Sequence, residues 1–121
     1  MIKKIAFTMY SVNDLTRARQ FYEQDLGLKM TQEFNGQWIE YDLAGGCFAI
    51  TSMLKDQVKP SANSGGSIAF EVDDVDTLVA QLKEKGHTIL REPFSSPVCR
   101  MAVVMDTEGN AVMLHKLNRS T

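Results

Sequence analysis

The sequence lacks the features that several protein classes require. No apolar run approaches the roughly 20 residues of a membrane-spanning helix, and no uninterrupted apolar segment follows the lysines near the start, as a secretory signal would need. The 13 Lys and Arg residues against 15 Asp and Glu residues give a net charge of −2, without a basic run. We therefore expect neither nucleic acid nor membrane as a partner, and a cytoplasmic location.

Cysteine and histidine are also scarce. The cysteines are Cys47 and Cys99, and the histidines are His87 and His115. Without an export signal, two free thiols in a reducing compartment are the default, although a Cys47–Cys99 pair stays open. Two histidines limit any histidine-rich metal site. Phosphate loops rich in glycine, Cys-x-x-Cys pairs and Gly-x-Ser-x-Gly elbows are absent from the sequence.

What the chain does contain is the composition of one globular domain. It has 121 residues, of which 44% are hydrophobic and 23% charged, which argues against disorder. Turn and periodicity signals predict a single domain over 1–121, in which the order β-α-β-β-β occurs twice. The first module covers 1–52, a polar linker covers 53–66, and the second module covers 67–121.

Capping and turn residues place the elements within each module. In the first, they predict a helix capped by Asn13 or Asp14 and a hairpin at Asn35–Gly36. In the second, Asp73–Asp74 caps a helix that ends near Lys85. The predicted bounds are strands 5–11, 28–34, 37–43 and 47–52 with helix 14–26, then strands 67–72, 87–92, 98–105 and 111–117.

Strand alternation separates a helix-covered face from a second face in each module. The apolar sets, such as Phe48 with Ile50 and Val112 with Leu114, predict the covered face. The second face is small, mixed and partly polar, which favours a ligand cleft over a packed core. On strand 98–105 the same alternation predicts Arg100, Ala102 and Val104 on the cleft side. The candidate binding residues are Phe7, Met9, Trp38, Glu40, Ala49, Ser67, Arg100, Met113 and His115.

Two segments resemble the vicinal oxygen chelate superfamily, which includes glyoxalase I, bleomycin-resistance proteins and extradiol dioxygenases. SVNDLTRARQFYEQDLGL (11–28) resembles its V-x-D…F-Y-x-x-x-L-G signature. MDTEGNAVML (105–114) resembles its D-P-x-G-N ending, with Thr107 in place of proline. The resemblance implies an α+β fold of two βαβββ modules that form a curved mixed sheet with an open cleft. It also implies a homodimer whose clefts take strands from both chains.

The resemblance further implies where a divalent metal would be bound in the enzymes of this superfamily. The four ligand positions fall on Phe7, Ala49, Ser67 and Met113 of this chain. None of these side chains offers the imidazole nitrogen or carboxylate oxygen that such an ion requires. A shift of the last strand by two residues would bring in His115, but only as one ligand. We therefore expect no metal and no cofactor.

These observations lead to a protein that binds a small molecule without a metal, similar to the bleomycin-resistance branch. Stacking on Trp38, Phe7 and Phe34 would hold the ligand. Polar selection would come from Ser67, Glu40, Arg100 and His115. The same alternation places Glu71 on the cleft side beside His115. Glu40, Glu71 and Arg100 could instead lie in water at strand ends, and His115 could be a surface histidine near the chain end.

Two alternatives stay open at this point. One is an enzyme, a lyase or isomerase that uses His115 or a cleft glutamate as general base, although the catalytic residues stay unassigned. The other is a module that binds a partner protein and retains a vestigial cleft.

Overall fold

The computed structural model describes residue 1 and residues 3–118. The chain divides into two compact units, Met1–Pro60 and Ser61–Thr121, and the division falls within the predicted linker. Each unit contains one helical segment and one four-stranded sheet, in the order β-α-β-β-β. No helix among the described residues is long and apolar enough to cross a membrane.

The first unit folds around a mixed sheet. Its strand order is β1-β4-β3-β2, with β1 parallel to β4 and the other neighbours antiparallel. Asp14 caps the helix by accepting a hydrogen bond from the Arg17 amide at 3.0 Å. Asn35 and Gly36 both have positive φ, 55° and 65°, as a two-residue hairpin turn requires. The elements are β1 Thr8–Ser11, α1 Leu15–Arg19, a π-helical segment Gln20–Asp25, β2 Gln32–Phe34, β3 Trp38–Leu43 and β4 Gly46–Thr51.

The second unit repeats this topology. Its strand order is β5-β8-β7-β6, with β5 parallel to β8. Asp74 caps the helix through the Thr77 amide at 3.1 Å, and Gly86 follows its end with φ 87°, as a glycine C-cap does. The elements are β5 Ile68–Glu71, α2 Val75–Glu84, β6 Ile89–Ser95, β7 Cys99–Met105 and β8 Ala111–Leu117.

The Asp106–Asn110 turn has a structural role in the second unit. Asp106 Oδ1 accepts hydrogen bonds from the Glu108 and Asn110 amides, each at 2.8 Å, and the Asn110 side chain bonds Asp106 Oδ2 at 3.0 Å. Asn110 Oδ1 also accepts the Ser61 amide at 3.1 Å. The DTEGN motif is therefore the turn between β7 and β8 that the sequence predicts.

The boundaries differ from the predictions most in the first unit, and in the second unit β6 spans Ile89–Ser95 instead of 87–92. The first strand begins at Thr8 rather than at 5, and the helix continues as the π-helical segment. The Leu26 amide bonds the Phe21 carbonyl and the Leu28 amide bonds the Tyr22 carbonyl, each at 2.9 Å. These bonds hold the chain at the helix end, so the second strand spans only Gln32–Phe34 instead of 28–34.

The core of each unit lies between its sheet and its helix. On the first sheet, Ile39 and Tyr41 of β3 and Phe48 and Ile50 of β4 are at most 2% exposed, and the rings of Tyr22 and Phe48 lie 5.2 Å apart. On the second sheet, the fully buried residues are Ala102, Val104, Val112 and Leu114. The predicted helix side of strands β3, β4 and β8 is therefore confirmed.

The predicted face of β7 is wrong. Ala102 pairs with Leu114 and Val104 with Val112, so both lie on the helix side. Arg100 has the same parity, and its guanidinium binds the Asp76 carboxylate of α2 at 2.7 and 2.8 Å. Both faces of β7 are apolar, with methionine and valine on one and alanine and valine on the other. The alternation of side chains therefore does not show which face of β7 packs against the helix.

A polar network links the helical segment of the first unit to its sheet. Glu23 accepts hydrogen bonds from Arg19 Nε at 2.6 Å and from the buried Tyr41 hydroxyl at 2.8 Å. Burial opposes the charge on Glu23, but the hydrogen bonds from Arg19 and Tyr41 outweigh it and hold the pKa of Glu23 below its usual value. Burial, and then the hydrogen bond to Glu23, raise the pKa of Tyr41. The π-helical turn thus presents its carboxylate to β3.

Tyr41→Phe should lower the free energy of unfolding at pH 7 by about 1 kcal/mol, since it removes a hydrogen bond to a charged acceptor. The pKa of Glu23 is lower in the folded than in the unfolded state. The stability that ionised Glu23 contributes is therefore present above its unfolded-state pKa and is lost as the pH falls through its folded-state pKa. The effect of Tyr41→Phe should therefore shrink by pH 3. Urea unfolding at both pH values measures it. Glu33→Gln is the control, because Glu33 lies 3.6 Å from Arg19 and is more exposed; an equal loss in that variant would contradict the network.

Candidate functional site

The first sheet has one face that its helix does not cover, here called the first free face. Residues that pair across neighbouring strands share a face, so the register defines its members. Met9, Ala49, Glu40 and Gln32 form one row across the sheet, and Ser11, Thr51, Trp38 and Phe34 form the next. Five of the predicted binding residues, Phe7, Met9, Trp38, Glu40 and Ala49, belong to this unit and share this parity.

An aromatic pair lies across this face. The rings of Phe7 and Trp38 meet edge to face, with centroids 5.2 Å apart and an interplanar angle of 87°. Phe7 precedes β1 and Trp38 begins β3, and β4 lies between those strands. The rings therefore meet over β4, where Ala49 is fully buried. A residue as small as alanine leaves room for them.

Two further side chains complete the aromatic surface. Phe34 pairs with Trp38 across the hairpin and is 51% exposed. The indole N–H of Trp38 donates a hydrogen bond to Glu40 Oε2 at 2.9 Å, which fixes the plane of the ring. Phe7 is 45% exposed. The first free face thus offers oriented aromatic rings that remain accessible to a ligand.

The same face carries a cluster that the sequence analysis missed. Ligand atoms of Glu40, Asp42 and Cys47 lie within 4.8 Å of one another, and among the described residues this is the one group of three such donors that could hold a metal ion. Asp42 pairs with Cys47 across β3 and β4. The signal was present in the sequence, because the Gly45–Gly46 turn sets that register and Glu40 shares the parity of Asp42.

The cluster affects the chemistry of its thiol. Burial, followed by the negative charges of Glu40 and Asp42, raises the pKa of Cys47 above its usual value. The protonated thiol is a poor nucleophile. Cys47 and Cys99 are both free cysteines.

The second sheet also has a face away from its helix, here called the second free face. Glu71, His115, Met101 and Phe94 form one row across β5, β8, β7 and β6, and Ala69, Met113, Val103 and Arg91 form the next. Two predicted binding residues, Met113 and His115, lie on it. Ser67 precedes β5, and its hydroxyl donates to the Ala111 carbonyl at 3.1 Å. Arg100, on the helix side, does not join them.

A histidine–carboxylate pair defines one edge of the second free face. Glu71 Oε1 lies 2.5 Å from His115 Nδ1, and Glu71 Oε2 accepts the Leu117 amide at 2.8 Å. The hydrogen bond with His115, and then that from Leu117, hold the pKa of Glu71 below its usual value. The sequence placed both residues on this face, but it gave no sign of the direct bond. The position of Arg91 and Phe94 on this face was not predicted, because the β6–β7 register shifts at irregularities between Ile89 and Phe94.

Cys47 should be slow to alkylate at pH 8, because the neighbouring carboxylates disfavour its thiolate. Asp42→Asn should speed alkylation several-fold by lowering the pKa of Cys47, since one pKa unit changes the thiolate fraction about tenfold. Iodoacetamide labelling followed by mass spectrometry measures it, in a Cys99→Ala background. Asp56→Asn, in the linker segment, is the matched control. Equal rates with and without Asp42 would contradict the electrostatic cause.

Comparison with known proteins identifies the family. A sequence model of the Glyoxalase/Bleomycin resistance protein/Dioxygenase superfamily matches residues 4–114. The chain is 26% identical over 122 residues to the probable lactoylglutathione lyase of Vibrio cholerae, with 92% of this chain and 88% of that protein covered.

Solved structures share the fold. A glyoxalase-related enzyme from Fulvimarina pelagi has a TM-score of 0.76 and 20% identity, with 95% of this chain and 88% of that chain covered. TnmS3, an antibiotic binding protein from a Streptomyces species, has a TM-score of 0.72 and 22% identity, with 97% of this chain and 98% of that chain covered. With this fold and the family match over nearly the whole chain, the protein belongs to the Glyoxalase/Bleomycin resistance protein/Dioxygenase superfamily.

Proposed function

We propose that the protein binds a planar small molecule, without a metal, in a cleft of a homodimer. The observation that carries the proposal is the aromatic surface of Phe7, Trp38 and Phe34 on the first free face. Aromatic rings of this kind stack on planar apolar ligands at little cost in conformational entropy. Glu40 both orients the indole and places a carboxylate beside it. The antibiotic binding protein of the same fold supports binding as a function that this scaffold can host.

The donor chemistry at the family's metal positions supports metal independence. Phe7, Ala49, Ser67 and Met113 stand where the resemblance places the ligands, and none of them supplies imidazole or carboxylate. The rings of Phe7 and Trp38 meet on the face of the sheet that carries Ala49. The Glu40–Asp42–Cys47 cluster is a different donor set, and the binding experiment below includes a control for it.

Homodimer formation and a cytoplasmic location remain parts of the proposal. Family membership supports a homodimer. Two free thiols fit a reducing compartment.

Trp38 is the sole tryptophan, so its fluorescence reports on the first free face alone. Anthraquinone-2-sulfonate, a planar quencher, should quench it saturably. Trp38→Ala should weaken binding of the same probe about fivefold by calorimetry, since the stacking ring contributes on the order of 1 kcal/mol. Phe34→Ala should weaken it less. Leu43→Ala is the matched control, because Leu43 is an exposed apolar residue of the same strand with the opposite parity.

Chelation serves as the metal control for this experiment. Affinity for anthraquinone-2-sulfonate should be unchanged after dialysis against EDTA. A tenfold loss of affinity on chelation, reversed by added zinc, would contradict metal independence. If that dependence on the metal disappears in Asp42→Asn, the ion belongs to the Glu40–Asp42–Cys47 cluster. If quenching of Trp38 fluorescence rises linearly with probe concentration without saturating, and is unchanged in Phe34→Ala, the proposed binding site on the first free face is contradicted.

A second candidate function is a lyase or isomerase that uses His115 or a cleft glutamate as general base. The hydrogen bond between His115 and Glu71 favours it, since a carboxylate that orients an imidazole is a recurrent acid–base arrangement. The lactoylglutathione lyase name of the Vibrio cholerae relative is consistent with it.

Formation of S-lactoylglutathione from methylglyoxal and glutathione separates the two candidates. If the protein only binds its ligand, product formation should not exceed the protein-free rate, with or without added zinc or nickel. If it is an enzyme, turnover should fall at least a hundredfold in His115→Ala, as loss of a general base does, with substrate binding retained. His87→Ala is the control, and turnover lost equally in that variant would rule out a specific role for His115.

A further inference from the structure

The second free face holds an imidazole in a fixed orientation. Glu71 is anchored through one oxygen by the Leu117 amide at 2.8 Å, and its other oxygen lies 2.5 Å from His115 Nδ1. An ionised carboxylate only accepts hydrogen bonds, so Nδ1 carries the proton. Among the described residues, His115 Nε2 has no hydrogen-bond partner. The lone pair of Nε2 is therefore available to a ligand.

A cation lies at the opposite edge of the same face. Arg91 forms no ion pair with any residue that the structure describes. Its guanidinium carbon lies 4.1 Å from the centroid of the Phe94 ring, and a stacked guanidinium keeps its N–H edges free for an anion. Phe94 is in the same row as His115, two strands away. The backbones at His115 and Phe94 are thus separated by about 10 Å.

The surface between these two groups is apolar. Met101 lies between His115 and Phe94 in their row, and Met113 lies beside it in the next row. Both methionines are partly exposed. Flexible thioether side chains adapt to the shape of a flat ligand.

We infer that the second free face is a two-point binding site for a small, elongated anion that carries a weakly acidic hydrogen, with Arg91 holding the anionic group and the His115–Glu71 pair receiving the hydrogen. The inference rests on the proposed function only in taking the ligand to be a small molecule. A carboxylate at one end and a phenolic or enolic hydroxyl at the other would match the two groups in charge and spacing.

The proton transfer balances without a co-reactant. The ligand O–H bond breaks, its electron pair stays on the ligand oxygen, and a new N–H bond forms at His115 Nε2. The protonated ring keeps its hydrogen bond to Glu71 Oε1, and the proton returns when the ligand leaves. The other charged groups nearby are Lys116, next to His115 in the chain, and Arg91 across the face.

The state of the histidine is tested first, without a ligand. At a pH of about 8.5, where imidazole is ordinarily neutral, the ¹⁵N spectrum of His115 should show the proton on Nδ1. In Glu71→Ala the proton should redistribute to Nε2, while His87 stays unchanged. A proton on Nε2 in the unmodified protein would overturn the assigned role of the pair.

The binding site is tested with 4-hydroxycinnamate, which has a carboxylate and a phenol at opposite ends. Methyl-labelled Met101 and Met113 should shift on titration, and Arg91→Gln should raise the dissociation constant at least tenfold. Arg100→Gln is the matched control, because Arg100 lies on the helix side of the same sheet. Unperturbed methionine methyls at millimolar probe, or equal losses in both arginine variants, would overturn the site. Trp38 fluorescence monitors the first free face separately, so failure of binding on the first free face would leave the proposed site on the second free face to be judged by its own test.

Discussion

Burial of one apolar face of each sheet under its own helix is the constraint on which the rest of the structure depends. Ile39, Tyr41, Phe48 and Ile50 have to share a face because the side-chain period of a strand is two. Once they are buried, the intervening residues are fixed on the other face. The positions of Trp38, Glu40 and Ala49 therefore follow from the hydrophobic effect acting on their neighbours, and a slip by one residue would bury Glu40 and expose Tyr41.

Much of the fold could be predicted from the sequence, because strong local signals coincide with that constraint. Asp14 and Asp74 cap the helices, and Asn35–Gly36 turns the hairpin, each through a bond or backbone angle that few other residues provide. Prediction failed where the signal was degenerate. Strand β7 is apolar on both faces, so only the register against β8 shows that Arg100 lies on the helix side, where Asp76 binds it.

The candidate site was less predictable than the fold, since contacts between side chains depend on rotamers and registers that alternation does not specify. The parity of Glu71 and His115 was foreseeable, but their hydrogen bond depends on the parallel pairing of β5 with β8. Cys47 and Asp42 face each other because the Gly45–Gly46 turn joins β3 and β4 in that register. The π-helical turn that brings Glu23 to Tyr41 is not indicated by capping residues or apolar periodicity, both of which fit an ordinary α-helix.

The two free faces differ in what they can do to a ligand. On the first, the partner of the Trp38 N–H is already a carboxylate, so a ligand gains little there by hydrogen bonding and gains mainly by covering rings that water otherwise contacts. On the second, Nε2 of His115 and the guanidinium of Arg91 have unused hydrogen-bonding capacity, and a ligand that satisfies both gains charge-assisted bonds.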